Sequence, residues 1–125
     1  MSALIYETDA ERVRDRLADP SVPLIACLCA AWCGSCRDYL PVFEDIANAH
    51  PELCFVWVDI EEQADRLDDF DVENFPTLVL SDAKGVRFSG AVLPHAGILK
   101  RLLAEREALP ATPLAPDLRA CLLSD

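Results

Sequence analysis

Two cysteines three residues apart, Cys33 and Cys36, are the part of the sequence best suited to chemistry. They stand in the segment Trp32-Cys33-Gly34-Ser35-Cys36, where an apolar run ends and a helical pattern begins. In the first turn of a helix, this spacing brings the two Cα atoms to about 5–6 Å, which is within disulfide range. Because the ring is small, such a bond stabilises the fold by only roughly 2 kcal/mol on the chain-entropy model. The pair therefore suits reversible redox chemistry better than stapling.

The predicted roles of the two thiols differ because of their positions in the helix. The amides and partial positive charge of a helix N-terminus favour a thiolate, and Cys33 stands first. Gly34 and Ser35 leave the turn unobstructed. We therefore expect Cys33 to be the nucleophile and Cys36 to be the buried resolving thiol. The expected cycle is attack on a substrate disulfide, a mixed disulfide, and release by Cys36.

Strand and helix patterns alternate along the chain and define how this pair is positioned. The apolar runs over 22–30 and 53–60 predict buried strands, and the helix from Cys33 contains Pro41, where we expect a kink. Thr8 to Glu11 fits a capping box for an earlier helix. The remaining predictions are a strand at 4–6, an acidic helix at 61–70, a hairpin at 77–81 and 85–89, and a helix at 95–108.

This order, β-α-β-α-β-α-β-β-α, predicts an α/β domain with a central mixed sheet and helices on both faces. Strands joined through helices should run parallel, and the final pair should be antiparallel. We assign residues 1–108 to this domain. Residues 109–125 form a proline-rich C-terminal extension, in which one or two helical turns would place Leu118, Cys121 and Leu122 on one side.

Size and charge exclude several classes of protein. With 125 residues the chain is long enough for a self-sufficient core. The net charge is −11, from 11 basic and 22 acidic residues, which disfavours nucleic acid and acidic lipid as partners. No apolar run approaches the roughly 20 residues of a membrane span. The N-terminal residues lack the pattern of a secretion signal, so we expect a reducing, cytoplasmic setting with mostly free thiols.

The residues around the cysteine pair resemble the thioredoxin family, in which Trp-Cys-Gly-Pro-Cys opens the second helix. The resemblance covers roughly residues 4–107. Pro41 follows Cys36 by five residues, as the family's helix-kinking proline does. Phe75-Pro76-Thr77 resembles the family's segment with a cis proline facing the active-site disulfide. The resemblance therefore implies the thioredoxin fold and a reversible Cys33–Cys36 disulfide.

The resemblance also implies a substrate groove. Gly90-Ala91 matches the Gly-Ala pair that borders the groove, and the backbone before Pro76 would pair with an extended client peptide. The expected contact residues are Trp32, Gly34, Ser35, Phe75, Pro76, Gly90 and Ala91. By the same resemblance, the clients are disulfide-containing proteins and a flavin- and NADPH-dependent thioredoxin reductase recharges the dithiol. We expect a monomer with no bound cofactor or metal.

Four positions depart from the family pattern. Cys27 replaces a buried Asp that assists proton transfer at the resolving thiol, and Trp57 replaces its Lys partner. Cys29 stands where the family has Trp, and Ser35 where it has Pro. We expect Cys27 and Trp57 to alter the pKa values at the site, with a slower resolving step and a changed redox potential.

Several features admit more than one interpretation. Cys27, Cys29 and Cys54 are predicted to be small buried apolar residues. Cys27 and Cys29 could instead form a zinc or iron–sulfur site with the helix cysteines, although two strand cysteines about 6.5 Å apart do not easily converge with them. The acidic run over 59–73 indicates either a solvated face or a surface that steers basic partners. His50 and His95 are expected at the surface.

We therefore expect a protein thiol–disulfide oxidoreductase that reduces client disulfides. One alternative is a binding module or assembly factor that holds a specific client. Another is an oxidase or isomerase of an oxidising compartment, which would need a more oxidising potential.

Overall fold

The computed structural model describes residues 3–19, 21–30, 33–64, 67, 76–93, 95–111 and 118–123. Within these ranges the chain forms five strands and four helices. In chain order they are β1 (Leu4–Ile5), α1 (Tyr6–Leu17), β2 (Leu24–Cys29), α2 (Gly34–Ala49), β3 (Cys54–Asp59), β4 (Thr77–Asp82), β5 (Gly85–Ala91), α3 (Ala96–Glu105) and α4 (Leu118–Leu123). No helix among the described residues is long and apolar enough to cross a membrane.

The five strands form one mixed sheet in the order β1-β3-β2-β4-β5. Strands β1, β3 and β2 are parallel neighbours, whereas β4 runs antiparallel to both β2 and β5. Strand β2 lies at the centre and every one of its residues is buried. The predicted mixed sheet is confirmed, and its centre leads directly into the cysteine pair.

Strand β2 divides its side chains between the two faces of the sheet, as the two-residue period of a strand requires. Ile25, Cys27 and Cys29 enter one core, and the alternate residues of β2 enter the other. We call the first the α2 face, because it also contains buried residues of α2 and α3. The second is the α1 face, which contains buried residues of α1 and α4. Helices therefore cover both faces, as predicted.

The predicted capping box at the start of α1 is wrong. The helix begins at Tyr6, and the backbone at Asp9 departs from helical angles inside it. The Thr8 hydroxyl donates to the Ile5 carbonyl, and the Asp9 carboxylate accepts from the Ile5 amide. Because these side chains bond backward to residue 5, no side chain caps the helix at Thr8.

The predicted acidic helix at 61–70 is not observed where the structure describes this segment. Residues 61–64 form hydrogen-bonded turns after β3, and Leu67 donates its amide to the Gln63 carbonyl. The acidic residues at 65 and 68–73 lie outside the described residues. The strand that follows, β4, is antiparallel to β2, so the parallel pairing expected after a third helical crossover is wrong.

Part of the C-terminal extension packs on the domain. Leu118 and Leu122 of α4 are buried on the α1 face, with Cys121 half-buried beside them. The Arg119 guanidinium donates to three carbonyl oxygens, those of Leu17 (3.0 Å), Asp19 (2.6 Å) and Val22 (2.7 Å). The predicted helical turns are present and hold this segment against the end of α1.

Candidate active site

Four segments meet at one edge of the sheet, beyond the carboxyl end of β2. Thr77 pairs with Leu28 on one side and with Ala91 on the other. Pro76 precedes Thr77, so it lies beside the end of β2, where Cys29 is the last residue. The chain then turns from β2 into α2. This edge therefore brings together the strand cysteine, the helix cysteines and the proline segment.

Cys33 is the N-cap residue of α2, with extended backbone angles. Its amide donates to the Ala30 carbonyl at 3.0 Å, and its carbonyl accepts the amide of Arg37 at 3.2 Å. The thiol is half-buried and free of disulfide bonding, and Gly34 and Ser35 beside it are exposed. The predicted helix start near Cys33 is confirmed, because Cys33 is the residue that directly precedes the first turn of α2.

Cys36 faces the interior, one turn along α2, and is 2% exposed. It forms a disulfide with Cys29, across a Cα–Cα distance of 5.9 Å. The expected partner was Cys33, so the structure corrects the pairing. The physical reason is that Cys36 points from α2 onto the α2 face of the sheet, where Cys29 of β2 also points. A separation of 5.9 Å lies in the usual range for a disulfide.

Cys27 lies two residues before Cys29 on the same face of β2. The two Sγ atoms are 3.6 Å apart, and because Cys29 is in a disulfide, the Cys27 thiol is the donor of this contact. Burial raises the pKa of the Cys27 thiol far above its ordinary value, so it remains protonated. The prediction of a small buried residue is confirmed for Cys27 and Cys54. Cys29 is also buried in its strand as predicted, but in addition it is bonded to Cys36, which was not expected.

Aromatic rings surround these sulfurs. Trp57 of β3 pairs in register with Cys27, so the two departures from the family pattern are neighbours on adjacent strands. Trp57 packs against Phe43 at a centroid distance of 5.6 Å and against Tyr39 at 6.5 Å. The Tyr39 hydroxyl is buried without a hydrogen-bond partner among the residues described. Burial and the nearby Cys27 raise the pKa of Tyr39, which keeps its proton.

The predicted groove residues fall at this edge where the structure describes them. Val92 donates its amide to the Pro76 carbonyl at 3.0 Å, which holds the end of β5 against the proline segment. Pro76 is buried, Gly90 is half-buried and Ala91 is exposed. Trp32 and Phe75 lie outside the described residues, and with them the predicted cis bond before Pro76.

The residues that sequence reasoning missed are Cys29 and Tyr39. The alternation of β2 already placed Cys29 on the same face as Cys27, and its position as the last strand residue placed it next to α2. Within the described ranges, no three His, Cys, Asp or Glu side chains are arranged to hold a metal ion. His95 is exposed and His50 is half-buried, 3.4 Å from the Glu52 carboxylate.

Comparison with known proteins is consistent with this architecture. The family model described as Thioredoxin matches residues 5–102. A thioredoxin H-type of Picea mariana is 41% identical over 58 residues, 46% of this chain and 46% of its own length. A putative thioredoxin 2 of Streptomyces coelicolor is 39% identical over 70 residues, 56% of this chain and 48% of its own.

Solved structures share the fold. Fasciola hepatica thioredoxin superposes with a TM-score of 0.68, at 20% identity, over 82% of this chain and 98% of its own. The chain spans about half the length of the two curated relatives, so they establish kinship and not a complete activity. The family model, in contrast, covers most of the chain from β1 into α3, including the cysteine pair. This chain belongs to the thioredoxin family.

Proposed function

We propose that the protein is a thiol–disulfide oxidoreductase that reduces the disulfides of client proteins. The observation that supports this best is the placement of its helix cysteines in a thioredoxin-family domain. Cys33 is half-exposed at the N-cap of α2, and Cys36 lies one turn further, buried and already engaged in a disulfide. One thiol is accessible to a client, and the other is positioned to form an internal bond.

In the proposed reaction, Cys33 Sγ of the reduced protein attacks one sulfur of a client disulfide. The other client sulfur leaves as a thiolate and takes up a proton. Cys36 Sγ then attacks Cys33 Sγ, and the bond between Cys33 and the client breaks. The client ends as a dithiol, and the protein is oxidised by the same two electrons. The attacking thiol is the one at the N-cap of α2, where the residue is partly exposed to a client.

An extended client peptide binds, in this proposal, in the groove beside the cysteine pair. We assign the contact surface to Gly34, Ser35, Pro76, Gly90 and Ala91, together with Trp32 and Phe75. Gly34, Ser35 and Ala91 are exposed residues, which leaves room for a client strand near Cys33. The net charge of −11 favours neutral or basic clients.

The remaining parts of the proposal follow from family membership. A flavin- and NADPH-dependent thioredoxin reductase returns the disulfide to the dithiol, and the protein acts as a monomer in the cytoplasm. No bound cofactor or metal takes part. Cys27 and Trp57 tune the pKa values at the site. In their place the family has a charged pair, so the proton at Cys36 must be delivered by another group.

The experiment is an insulin-reduction assay with dithiothreitol as the electron donor. Cys33→Ser should reduce turnover to the rate of dithiothreitol alone, because the attacking sulfur is lost. Cys36→Ser should also stop turnover and should accumulate a mixed disulfide between Cys33 and insulin. Cys54→Ser is the matched control, since Cys54 is a buried thiol of the α1 face and should leave turnover unchanged.

Two results would contradict the proposal. One is a wild-type protein that does not accelerate insulin reduction. The other is a Cys33→Ser/Cys36→Ser double variant that retains the full cellular function, which would instead identify a binding module.

A further inference from the structure

A third cysteine lies within bonding reach of the resolving thiol. Cys29 and Cys36 have Cα atoms 5.9 Å apart and are joined in this structure, while Cys33 remains a half-buried free thiol. Cys36 is therefore positioned between two possible partners. One is Cys33 at the edge of the site, and the other is Cys29 in the core.

We propose that Cys36 exchanges its disulfide between these two partners, so that Cys29 acts as a second, internal catalytic thiol. This proposal rests on the proposed function, because it begins from the oxidised product of that reaction. In the exchange, Cys29 Sγ attacks Cys36 Sγ of the Cys33–Cys36 bond. The Cys29–Cys36 bond forms, the Cys33–Cys36 bond breaks, and its electron pair leaves on Cys33 Sγ.

The exchange needs no external oxidant or reductant. One disulfide and one thiol are present before the step, and one disulfide and one thiol remain after it. The proton lost by Cys29 is balanced by the proton that Cys33 takes up. The oxidised protein thus keeps its oxidising equivalents and regains an accessible Cys33 thiol.

The surroundings of Cys29 support this exchange. Both sulfurs of the new bond are on the α2 face and almost fully buried, at 1% and 2% exposure, so the core shields it from soluble thiols. The Cys27 thiol contacts Cys29 Sγ at 3.6 Å and stays protonated. It therefore donates to Cys29 and stabilises negative charge on that sulfur whenever it is the attacking or leaving group.

The position of Cys29 makes the step specific. Two cysteines on one strand face, residues 27 and 29, lie near the site, but Cys29 is the last residue of β2 and the one joined to α2. Cys54 is equally buried, yet it points to the α1 face and shares no surface with Cys36. Cys29 is therefore the expected alternative partner of Cys36.

As a consequence, the protein has two oxidised forms, which differ in whether the Cys33 thiol is free at the site. In the form bonded through Cys33, no nucleophile is exposed at the site. In the form bonded through Cys29, Cys33 can still attack a client, but Cys36 is not available to release it. The second form would hold a client in a mixed disulfide until Cys36 is freed.

The test is a disulfide map of the oxidised full-length protein. The reduced protein is oxidised with diamide, its free thiols are blocked with N-ethylmaleimide under denaturing conditions, and it is digested with chymotrypsin and trypsin. Cleavage after Trp32 separates Cys29 from the helix cysteines, and cleavage after Arg37 ends the second peptide. A Cys29–Cys36 bond links two peptides, whereas a Cys33–Cys36 bond stays inside one.

The expected wild-type result is the linked pair, with the maleimide on Cys33. Cys33→Ser should still form an intramolecular bond through Cys29. Cys29→Ser should give only the internal Cys33–Cys36 peptide, with no maleimide on Cys33. Cys54→Ser should map like the wild type, because its thiol is on the other face.

The proposal is overturned if the wild type yields only the internal peptide and Cys33→Ser forms no bond with Cys29. That failure is distinct from failure of the proposed function, because insulin reduction by the wild type and by Cys29→Ser is measured on the same samples. Turnover with no linked peptide would retain the oxidoreductase and remove only the exchange.

Discussion

The two faces of the central sheet are built from alternate residues of the same strands, yet they differ in what they contain. The α2 face contains Cys27, the Cys29–Cys36 disulfide and an aromatic cluster. The α1 face is mainly aliphatic and is closed by α4. Each face also buries a tyrosine hydroxyl. One face is therefore organised around sulfur atoms and aromatic rings, and the other around aliphatic packing.

The buried tyrosines show this difference most directly. On the α1 face, the Tyr6 hydroxyl donates to the Leu122 carbonyl at 3.0 Å and accepts from Arg14 at 3.4 Å. On the α2 face, the Tyr39 hydroxyl has no partner among the described residues and lies near Cys27. A buried polar group without a partner costs stability. Of the two tyrosines, only Tyr39 carries this cost; on the α1 face it falls instead on the Ser81 hydroxyl, which is buried without a described partner opposite Leu24.

The largest effect is expected from breaking the packing of the α1 face. Leu122→Ala should lower the free energy of unfolding by about 2–5 kcal/mol, because it removes a fully buried side chain. The rate of Cys33 alkylation in the folded, reduced protein should not change. Urea unfolding and alkylation kinetics measure the two quantities. Leu93→Ala is the control, since Leu93 is 64% exposed and its loss should cost little. A large change in Cys33 reactivity would refute the separation of the faces.

A smaller effect on the free energy of unfolding is expected at alkaline pH. It can be compared between one buried thiol on each face, Cys27 and Cys54. Burial raises the pKa of Cys27 and of Cys54. Above pH about 8.5, the unfolded chain loses these thiol protons while the folded chain keeps them, so stability falls as pH rises. Each thiol contributes a slope of up to about 1.4 kcal/mol per pH unit.

Substitution should reveal which face dominates this decline. Cys27→Ala should flatten the alkaline fall in stability more than Cys54→Ala, because the positive charges of Arg16 and Arg119 partly oppose the effect of burial on Cys54. Urea unfolding of the reduced proteins between pH 7 and 10 measures the slopes. Equal slopes in both variants and the wild type would show that neither thiol is the source.

The smallest effect is expected from removing single hydroxyls, with opposite signs on the two faces. Tyr39→Phe should raise the free energy of unfolding by up to about 1 kcal/mol, because an unpartnered buried hydroxyl disappears. Tyr6→Phe should lower it by about 1 kcal/mol, because the hydrogen bonds of its hydroxyl with Leu122 and Arg14 are lost. Thermal or urea unfolding of both variants provides the measurement. Effects of the same sign would contradict the assignment of Tyr39 as unsatisfied.

Local pattern predicted the elements that build the site. The uncharged run before the cysteine pair identified β2 as the central buried strand, and the spacing after Cys33 identified α2. These features depend on burial and period, which the sequence records directly. The mixed sheet and its two helix-covered faces followed from the order of elements.

Contacts between different elements could not be predicted from local pattern, because they depend on how the elements are placed relative to one another. Strand alternation gives the face on which Cys29 lies, but not the lateral offset of α2 that brings Cys36 to it. The start of α1 depends on Asp9 bonding back to the Ile5 amide, which competes with the capping box at Thr8. The sequence pattern predicted the apolar side of α4. It did not predict that this side docks beside α1, because that is a contact between elements distant in sequence.

The Arg119 contacts have a consequence for how the domain assembles. One guanidinium satisfies carbonyls at residues 17, 19 and 22, which precede it by 97 to 102 positions. Contacts between residues so far apart in sequence carry a large loop-closure cost, so we expect α4 to dock late in folding rather than to initiate it. Its docking then reports on the integrity of the distant N-terminal segment.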